Sequence, residues 1–401
     1  MANPTVLISG AGIAGTALAY WLRKHGFEPT VVERAAEIRD GGYKVDIRGA
    51  ALDVVTRMGL REDIRGLRTD VRGGSIVNAA GKRVASMDGD TFGGRQGDDA
   101  EILRGDLNRL LYESAKGEVE YLFDDSVTAI DEDGDGGRAT VTFASGRVRS
   151  YDLVVGADGL HSATRALAFG DESRFVHDLG YYVSIFSVPN HLELDRWELT
   201  YVGPGRTALT YSTAKDRGAK AMFLFASGPL EYDRRDRTQQ QRLLAGAYAG
   251  EGWEVPRLLE GMGDATDFYF DSLSQVRMDR WSTGRVALLG DAAYCASPAS
   301  GQGASLALVG AYVLAGELAA AGGDHAAGLA AYEAAMRPFV ERNQKLGPAN
   351  IKRMVLRSAG QVRMSMAALS LMGRLPGKER IMAKAIEPIH KAANAITLKD
   401  Y

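Results

Sequence analysis

Three glycines and an acid near the beginning of the chain have the types and spacing to bind a dinucleotide. Gly10, Gly12 and Gly15 stand in the segment GAGIAG, between a short apolar run typical of a buried strand and a helical pattern. The first glycine allows a tight turn, the second lets the backbone approach a pyrophosphate, and the third lets the helix pack on the strand. Glu33 ends the next predicted strand, where a carboxylate can bind ribose hydroxyls and leaves no room for a 2′-phosphate. The pattern favours FAD or NAD over NADP, although Arg34 follows the acid; the alternative is a glycine-rich turn that serves packing alone.

Two later segments repeat the arrangement of a strand that ends beside an aspartate. GADGLHSATR spans residues 156–165 and contains Asp158 and Arg165. GRVALLGDAAYCASPASGQGASLALVGAYVL spans residues 284–314, and there Asp291 precedes a turn rich in proline and glycine and then a long apolar helix. The free N–H groups and the dipole at a helix N-terminus attract anionic groups. The pattern therefore predicts a polar or anionic group against the start of this helix.

The elements that must position these residues are those of an α/β protein. Apolar runs and helical periodicity near the N-terminus predict, in turn, a strand, a helix, a strand and two further helices at residues 5–10, 14–26, 29–34, 50–60 and 104–115. From about Phe175 to Met278, short alternating segments predict an antiparallel sheet with one face in water. The strand–turn–helix style returns after Arg285, so the sheet is inserted into the nucleotide-binding part and not appended to it.

Taken in this order, the three motifs resemble those of the class A FAD-dependent monooxygenases of the para-hydroxybenzoate hydroxylase type. Within that family the chain is most similar to the actinobacterial branch that includes tetracycline-inactivating flavin monooxygenases. This similarity depends on GGYKVDIRG, on SGQGASLALVGAYVLAGEL and on the helical tail. The resemblance implies a Rossmann-like FAD-binding domain in two parts (1–174 and 281–345), an inserted β-sheet substrate domain (175–280) and a C-terminal helical segment (346–401).

The resemblance also implies which residues contact FAD. The carboxylate of Asp291 would accept hydrogen bonds from the ribityl chain, and Gly301 and Gly303 would let backbone N–H groups reach the isoalloxazine ring. Arg104 would contact the cofactor, with a solvated helix charge as the alternative, and Arg48 would approach the flavin from the loop after the second strand, with no cofactor role as the alternative. The full set of expected cofactor contacts is Gly10, Gly12, Ala14, Gly15, Glu33, Arg34, Arg48, Arg104, Asp158, Arg165, Gly290, Asp291, Pro298, Gly301, Gln302, Gly303 and Ala304.

The chain departs from the family pattern at three positions around the third motif. Tyr294 stands where the family usually has histidine, Ser297 where a second proline is frequent, and Ser305 where asparagine is common. These changes affect the expected hydrogen bonds around the ring and the substrate mouth.

The activity implied is a flavin-dependent insertion of one oxygen atom from dioxygen, with NADPH or NADH as the electron donor and a flavin hydroperoxide as the oxidant. Such chemistry needs no catalytic triad or metal, because the cofactor carries it. Only one complete dinucleotide loop is present, so the nicotinamide is expected to visit transiently. A flavin reductase or oxidase without oxygen transfer, or a flavin-binding companion protein without turnover, are the alternatives. Cys295 is expected to be a small buried hydrophobe and not a redox thiol.

The inserted sheet would cover the substrate. Its aromatic residues Tyr182, Phe186, Tyr201, Tyr211, Phe223 and Phe225 suit a pocket for a hydrophobic aromatic or polyketide-like molecule. The alternative is that most of them are core. Met222, Phe223 and Pro298 are the predicted substrate contacts. In the C-terminal helical segment, Met364, Met372 and Met382 could line a substrate entrance, or the helix could pack along the cofactor domain.

Bulk composition limits the partners and the location of the protein. The chain has 401 residues, 45% of them hydrophobic, and a net charge of −3, which gives no global attraction to nucleic acid or anionic membrane. The single cysteine suits a reducing cytoplasm. The apolar stretch Ala304–Ala321 is expected to be a buried helix and not a membrane span. A soluble monomer or homodimer is expected.

Overall fold

A computed structural model describes residues 3–38, 42–132, 137–215, 218–372 and 378–401. The strands are β1 (Thr5–Ser9), β2 (Glu28–Val32), β3 (Lys44–Ile47), β4 (Gly73–Val77), β5 (Arg83–Asp88), β6 (Ala100–Leu103), β7 (Glu120–Leu122), β8 (Val127–Glu132), β9 (Ala139–Phe143), β10 (Val148–Tyr151), β11 (Leu153–Gly156), β12 (Val176–Val188), β13 (Trp197–Gly203), β14 (Arg206–Tyr211), β15 (Ala219–Ala226), β16 (Tyr269–Val276), β17 (Ser282–Thr283) and β18 (Val286–Leu288). The helices are α1 (Ile13–Lys24), α2 (Ala50–Arg57), α3 (Arg61–Gly66), α4 (Gly89–Gly93), α5 (Arg104–Glu113), α6 (Ala163–Phe169), α7 (Arg237–Ala247), α8 (Val255–Glu260), α9 (Asp291–Tyr294), α10 (Gly303–Ala320), α11 (His325–Met354), α12 (Ala359–Met372) and α13 (Lys378–Ala393).

A six-stranded sheet carries the three strand-end motifs. Its order is β17-β18-β11-β1-β2-β7, and all neighbours except β17 and β18 are parallel. The motifs follow β1, β11 and β18, which are adjacent in the sheet, so all three turns emerge side by side at the same edge. Apolar, β-branched residues such as Val6, Leu7 and Ile8 are buried on both faces, as a parallel sheet requires. The predicted strand–helix–strand unit and the α/β fold class are confirmed.

Helices cover one face of this sheet and a small antiparallel sheet covers the other. Helix α1 packs against α10 on the first face. The three-stranded sheet β10-β9-β8 packs on the second face through a cluster that joins Leu7 and Val154 to Val141 and Phe143.

The second large sheet has the order β16-β12-β15-β14-β13-β4-β5. Strands β12 to β16 pair antiparallel, as expected for the inserted segment. However, β4 and β5 also join this sheet, with β4 parallel to β13. The layer therefore takes strands from both sides of residue 175, and the domain boundary at that residue stays a prediction.

The expectation that one face of this sheet is in water is wrong, since both faces of the central strands are buried. On one face, Phe186 and Phe223 pack with Leu244 of α7 and Leu258 of α8. Tyr182, Tyr201 and Phe225 belong to the same cluster, so the core alternative is the correct one for these aromatic residues.

We call the opposite surface of this sheet the inner face, formed by Val183, Ile185, Met222, Leu224, Tyr269, Asp271 and Leu273. Met222 and Leu224 lie in a cluster with Ile351 of α11 and with Ala299, which follows the third motif. Because side chains alternate along a strand, Met222 and Phe223 point to opposite faces. The expected substrate contact at Phe223 is therefore corrected: this side chain is part of the helix-covered core.

Helix α10 is the apolar centre of the fold. By length and composition it could cross a membrane, but 83% of it is buried inside the protein. It packs against α1, α2 and α11.

Helix α11 continues toward the second sheet, and α12 contacts β5 and β13. Met364 is exposed on α12, whereas the side chains of Met372 and Met382 lie outside the described residues.

We expect Phe223→Ala to lower the free energy of unfolding by about 3–5 kcal/mol, because it empties a fully buried site. Met222→Ala should cost clearly less, since Met222 is only partly buried. Urea unfolding at one fixed FAD concentration measures both. An equal or greater loss for Met222→Ala would contradict the assignment of the two faces.

Candidate functional site

The first and third glycines of GAGIAG are required by the fold itself. Gly10 has φ +106°, and a Cβ on it would lie 2.7 Å from the carbonyl oxygen of Ala157. A Cβ on Gly15 would lie only 1.9 Å from the carbonyl oxygen of Gly10. The loop is thus pressed against the end of β11 on one side and against the first turn of α1 on the other.

At the second position of the motif, the packing of the protein does not require a glycine. Gly12 has φ −79°, which any residue adopts, and the nearest atom to a Cβ there is Arg104 Nη2 at 3.7 Å. No side-chain hydrogen bond caps the start of α1 at this residue. A methyl group at Gly12 would stand in the open cleft beside the loop, so the glycine suits a ligand that approaches the backbone closely.

Residues from separate parts of the chain line this cleft. They include Gly10, Gly12, Glu33, Arg34, Arg104 and Asp158. The carboxylate of Glu33 accepts hydrogen bonds from the backbone N–H groups of Ala11 (2.9 Å) and Ala35 (3.0 Å), which fixes it beside the glycine loop. An acid in this position is compatible with ribose hydroxyls and unfavourable for a second phosphate.

The second motif contributes Asp158 to the lining of the cleft. Asp158 accepts hydrogen bonds from Thr164 N (2.9 Å) and from the hydroxyl groups of Thr164 and Ser162. Arg165 is 0% exposed, and its guanidinium donates to the carbonyl oxygens of Ala292 (2.9 Å) and Leu160 (2.7 Å). Arg165 therefore ties the second motif to the third from inside the protein and does not reach the cleft.

The third motif places its acid at the start of α9. Gly290, at φ +65°, turns the chain, and a Cβ on it would lie 3.0 Å from the Cβ of Ala14. Asp291 keeps exposed surface, although protein atoms surround its carboxylate. Burial raises the pKa of Asp291, while the side chain of Cys295 and the charge of Arg104 oppose the rise. Arg104 is only partly exposed and lies between Gly12 and this carboxylate, so the solvated alternative is not what the structure has.

An elbow at residues 297–303 leads from α9 to α10. It includes the short 3-10 turn Pro298–Ser300 and Gly301, which has φ +66°. No described atom lies within 4 Å of a Cβ built on Gly301 or Gly303. Gln302 is 0% exposed, and within the described ranges neither of its amide atoms has a hydrogen-bond partner. Ala304 completes the first turn of α10 and is buried. The uncovered glycines and the free N-terminus of α10 form a surface that a planar, partly anionic ring could approach.

The departures from the family pattern have structural roles in this chain. Tyr294 is buried between α9 and α11, and its hydroxyl lies 3.1 Å from that of Tyr332. Ser305 joins α10 to β3, since its hydroxyl accepts from Arg48 N and donates to the carbonyl oxygen of Asp46, both at 3.4 Å.

Arg48 is 3% exposed and is held by protein contacts. Its guanidinium donates to the carbonyl oxygens of Gly93 (2.7 Å) and Gly94 (2.5 Å), and it pairs with Asp46 at 2.8 Å. Arg48 thus connects β3 with the end of α4, and its approach to a cofactor stays a prediction.

The elbow lies beside the inner face of the second sheet, and we call the region between them, where Pro298, Met222 and Tyr269 keep exposed surface, the chamber. Ala299 of the elbow and Tyr43, which precedes β3, pack against the inner-face cluster that contains Met222. Pro298 is exposed at the edge of the elbow. Cys295 is buried, and burial raises its pKa well above the ordinary value, so a reactive thiolate is disfavoured as expected.

Several residues around the cleft and chamber carry no sequence motif. Asn108 supports the glycine loop, because its side chain donates to the carbonyl oxygen of Ala11 (2.9 Å) and accepts from the hydroxyl of Thr16 (3.1 Å). His161 lines the cleft, and Tyr269 and Asp271 lie on the inner face. The strand alternation of β16 was a usable signal for the last two, since it puts residues 269, 271 and 273 on one face.

Comparison with known proteins agrees with this geometry. Residues 3–346 match the model of the family described as FAD binding domain. A flavin-dependent monooxygenase from Legionella longbeachae serogroup 1 (strain NSW150) is 42% identical over 86% of this chain and 88% of its own length. An uncharacterised protein from Mycobacterium tuberculosis (strain CDC 1551 / Oshkosh) is 49% identical over 86% of this chain and 93% of its own length.

A solved structure matches the whole chain. The crystal structure of the tetracycline destructase Tet(51) superimposes with a TM-score of 0.86 and 38% sequence identity, over 100% of both chains.

Two alanine substitutions separate the roles of the loop glycines. Gly12→Ala should change the free energy of unfolding of the FAD-free protein by less than about 1 kcal/mol and weaken FAD binding at least tenfold, because the protein has room for the methyl group and the ligand does not. Gly15→Ala, the matched control, should destabilise the FAD-free protein by about 1–3 kcal/mol through overpacking. Urea unfolding and flavin fluorescence titration measure the two effects. Full FAD affinity in Gly12→Ala would contradict the assignment.

Proposed function

This chain belongs to the FAD-binding-domain family of flavin-dependent monooxygenases, and on that premise we propose that it uses NAD(P)H to insert one oxygen atom into an aromatic or polycyclic small molecule. The observation that carries this proposal is the pair of surfaces around the chamber. The uncovered glycines at the start of α10 belong to the elbow, which packs through Ala299 against the apolar inner face, so cofactor and substrate could meet there.

We propose that FAD lies along the edge of the first sheet, where the residues present suit it. Gly12 and the start of α1 would hold the pyrophosphate, Glu33 the adenosine ribose, Asp291 with Arg104 the ribityl chain, and Gly301 and Gly303 the ring. When bound, the flavin supplies the redox and oxygen chemistry.

The protein's own part is to bind, orient and exclude water. The aliphatic side chains of the inner face keep the chamber apolar, which protects reactive oxygen chemistry from solvent. The dipole of α10 would stabilise negative charge on the nearby ring. Since a single complete dinucleotide loop is present and we propose that FAD occupies it, the nicotinamide would bind only transiently.

A hydrophobic polyketide- or antibiotic-like substrate is supported by two features. The inner face offers the partly exposed Met222 beside the buried aliphatic side chains Val183, Ile185 and Leu224, which suits flat apolar rings. The matched solved structure is that of a tetracycline destructase, a protein whose name indicates a polycyclic substrate. We propose that the enzyme works in the cytoplasm, as a monomer or homodimer.

We expect an aromatic or polyketide substrate to accelerate NADPH oxidation and to gain one oxygen atom. Turnover under ¹⁸O₂, followed by mass spectrometry, should show a single heavy oxygen in the product. Accelerated NADPH oxidation without labelled product would indicate a reductase or an oxidase. Ligand quenching of flavin fluorescence without NADPH oxidation would indicate a binding protein.

Asp291→Ala should yield largely cofactor-free protein, because the carboxylate opposite Arg104 is lost from the cleft. Asp324→Ala is the matched control, since Asp324 caps α11 far from the motifs by accepting from Ala327 N at 3.0 Å. Flavin absorbance per protein after purification measures occupancy. Full occupancy in Asp291→Ala would remove Asp291 from the proposed site.

A further inference from the structure

A hydrogen-bonded chain of side chains runs from the second strand-end motif to the inner face. The Tyr269 hydroxyl donates to Asp271 (3.2 Å), and Asp271 accepts from His161 Nε2 (3.0 Å). His161 Nδ1 lies 3.1 Å from both carboxylate oxygens of Glu172, and Arg234 donates to Glu172 at 2.6 Å. The chain joins a residue of the GADGLHSATR motif to β16, so it crosses from the first sheet layer to the second.

The charges in this chain fix the direction of its hydrogen bonds. Burial would lower the pKa of His161, but the hydrogen bonds to Asp271 and Glu172 outweigh it and raise the pKa above its ordinary value. Burial would likewise raise the pKa of Glu172, but hydrogen bonds and charges from His161 and Arg234 lower it to about 2. Both imidazole nitrogens face carboxylates, which accept only, so both must donate. Asp271 also accepts from Ser272 N at 2.8 Å.

Tyr269 ends the chain at the chamber. It is 38% exposed, and burial among protein atoms, together with the charge of Asp271, raises its pKa well above the ordinary value, so its hydroxyl stays neutral. Its ring lies 6.4 Å from that of Tyr43. The neighbouring inner-face side chains Val183, Ile185 and Leu273 are aliphatic, so the Tyr269 hydroxyl is a polar point on an apolar wall.

We propose that the Tyr269 oxygen recognises a hydroxyl hydrogen-bond donor on the substrate, phenolic or enolic, and that Asp271 and His161 are the positioning residues that keep this oxygen an acceptor. The Tyr269 hydroxyl donates its hydrogen bond to Asp271, so the tyrosine oxygen can offer only lone pairs to a ligand in the chamber. This inference rests on the proposed function, because it takes the chamber as the substrate site.

The arrangement discriminates between ligands that differ in a single hydrogen-bond donor. A hydroxylated ring can donate to the Tyr269 oxygen, whereas its methyl ether cannot and would leave a desolvated acceptor unpaired. An unpaired acceptor in such a site corresponds to about a tenfold or greater loss of affinity.

The experiment compares 2,6-dihydroxyanthraquinone, whose hydroxyl groups have no neighbouring carbonyl to donate to, with 2,6-dimethoxyanthraquinone on the FAD-loaded enzyme. Perturbation of the flavin absorbance spectrum gives the Kd of each, and the ratio of the two is the readout. We expect the wild type to prefer the hydroxylated ligand by about tenfold or more. Equal affinities, or no perturbation by either ligand, would overturn the proposal.

Substitutions of residues in this hydrogen-bonded chain should change the ratio of the two Kd values in different ways. Tyr269→Phe should bring it close to one. Asp271→Asn should lower or invert it, because the amide can donate to the tyrosine oxygen and release the tyrosine proton toward the ligand. His161→Gln should reduce the ratio, because the neutral glutamine amide can donate to Asp271 but holds the carboxylate less strongly than the charged imidazole does. A variant that only loses stability would bind both ligands more weakly and leave the ratio unchanged. Such a result for Asp271→Asn and His161→Gln would overturn the positioning role of these two residues.

His191→Gln is the matched control, because it removes another histidine–carboxylate pair of the same sheet region, with Glu254 at 3.0 Å. It should keep the wild-type ratio, and a change as large as that of His161→Gln would count against the hydrogen-bonded chain.

NADPH oxidation with each ligand separates this inference from the proposed function. Oxidation stimulated equally by both ligands, with ¹⁸O from ¹⁸O₂ in the product, would support a monooxygenase and overturn the role of Tyr269. A hydroxyl preference in binding without stimulated oxidation would support Tyr269 and contradict the function.

Discussion

The close approach of three strand-end turns is the constraint on which the candidate site depends. Parallel strands β18, β11 and β1 are neighbours, so the turns that follow them meet at one edge of the sheet. Gly10 packs on the end of β11 and Gly290 packs on Ala14, each at a distance that admits no larger side chain without a shift. The buried guanidinium of Arg165 holds the second turn to the third through Ala292. Around Gly12 and Gly303, the described residues leave room for a side chain, with Arg104 Nη2 at 3.7 Å as the nearest atom to a Cβ on Gly12, so a ligand can approach the backbone there.

The second constraint is the burial of both faces of the large sheet. Helices α7 and α8 cover one face with an aromatic core, and the other face turns toward the elbow. The aliphatic side chains Val183, Leu224 and Leu273 of the inner face are also buried, while Met222 and Tyr269 keep surface that a ligand could contact. The polar chain through Asp271 and His161 is compatible with the aliphatic neighbours on this face because its donors and acceptors satisfy one another.

Sequence analysis located the features that are local in the chain and missed those that are not. Gly10, Gly12, Gly15 and Asp291 were found because spacing along one strand–turn–helix unit determines their positions. The joining of β4 to β13, and the bond from Arg165 to Ala292, connect residues far apart in the chain, and no local pattern indicates them. The prediction for Phe223 was wrong because alternation shows that two neighbours face opposite ways but not which way each faces.

The position of the elbow also depends on the far end of α10. Glu317 of this helix is 5% exposed, and such a buried carboxylate needs partners. Lys399 donates to it at 2.6 Å and the hydroxyl of Tyr401 at 2.8 Å, while the ring of Tyr401 covers Gly316. The last residues of the chain thus fix one end of a rigid helix whose other end carries the glycines at the chamber. Because an α-helix moves as a body, a contact made by the C-terminal tail helps to determine the geometry of a site formed at the opposite end of that helix.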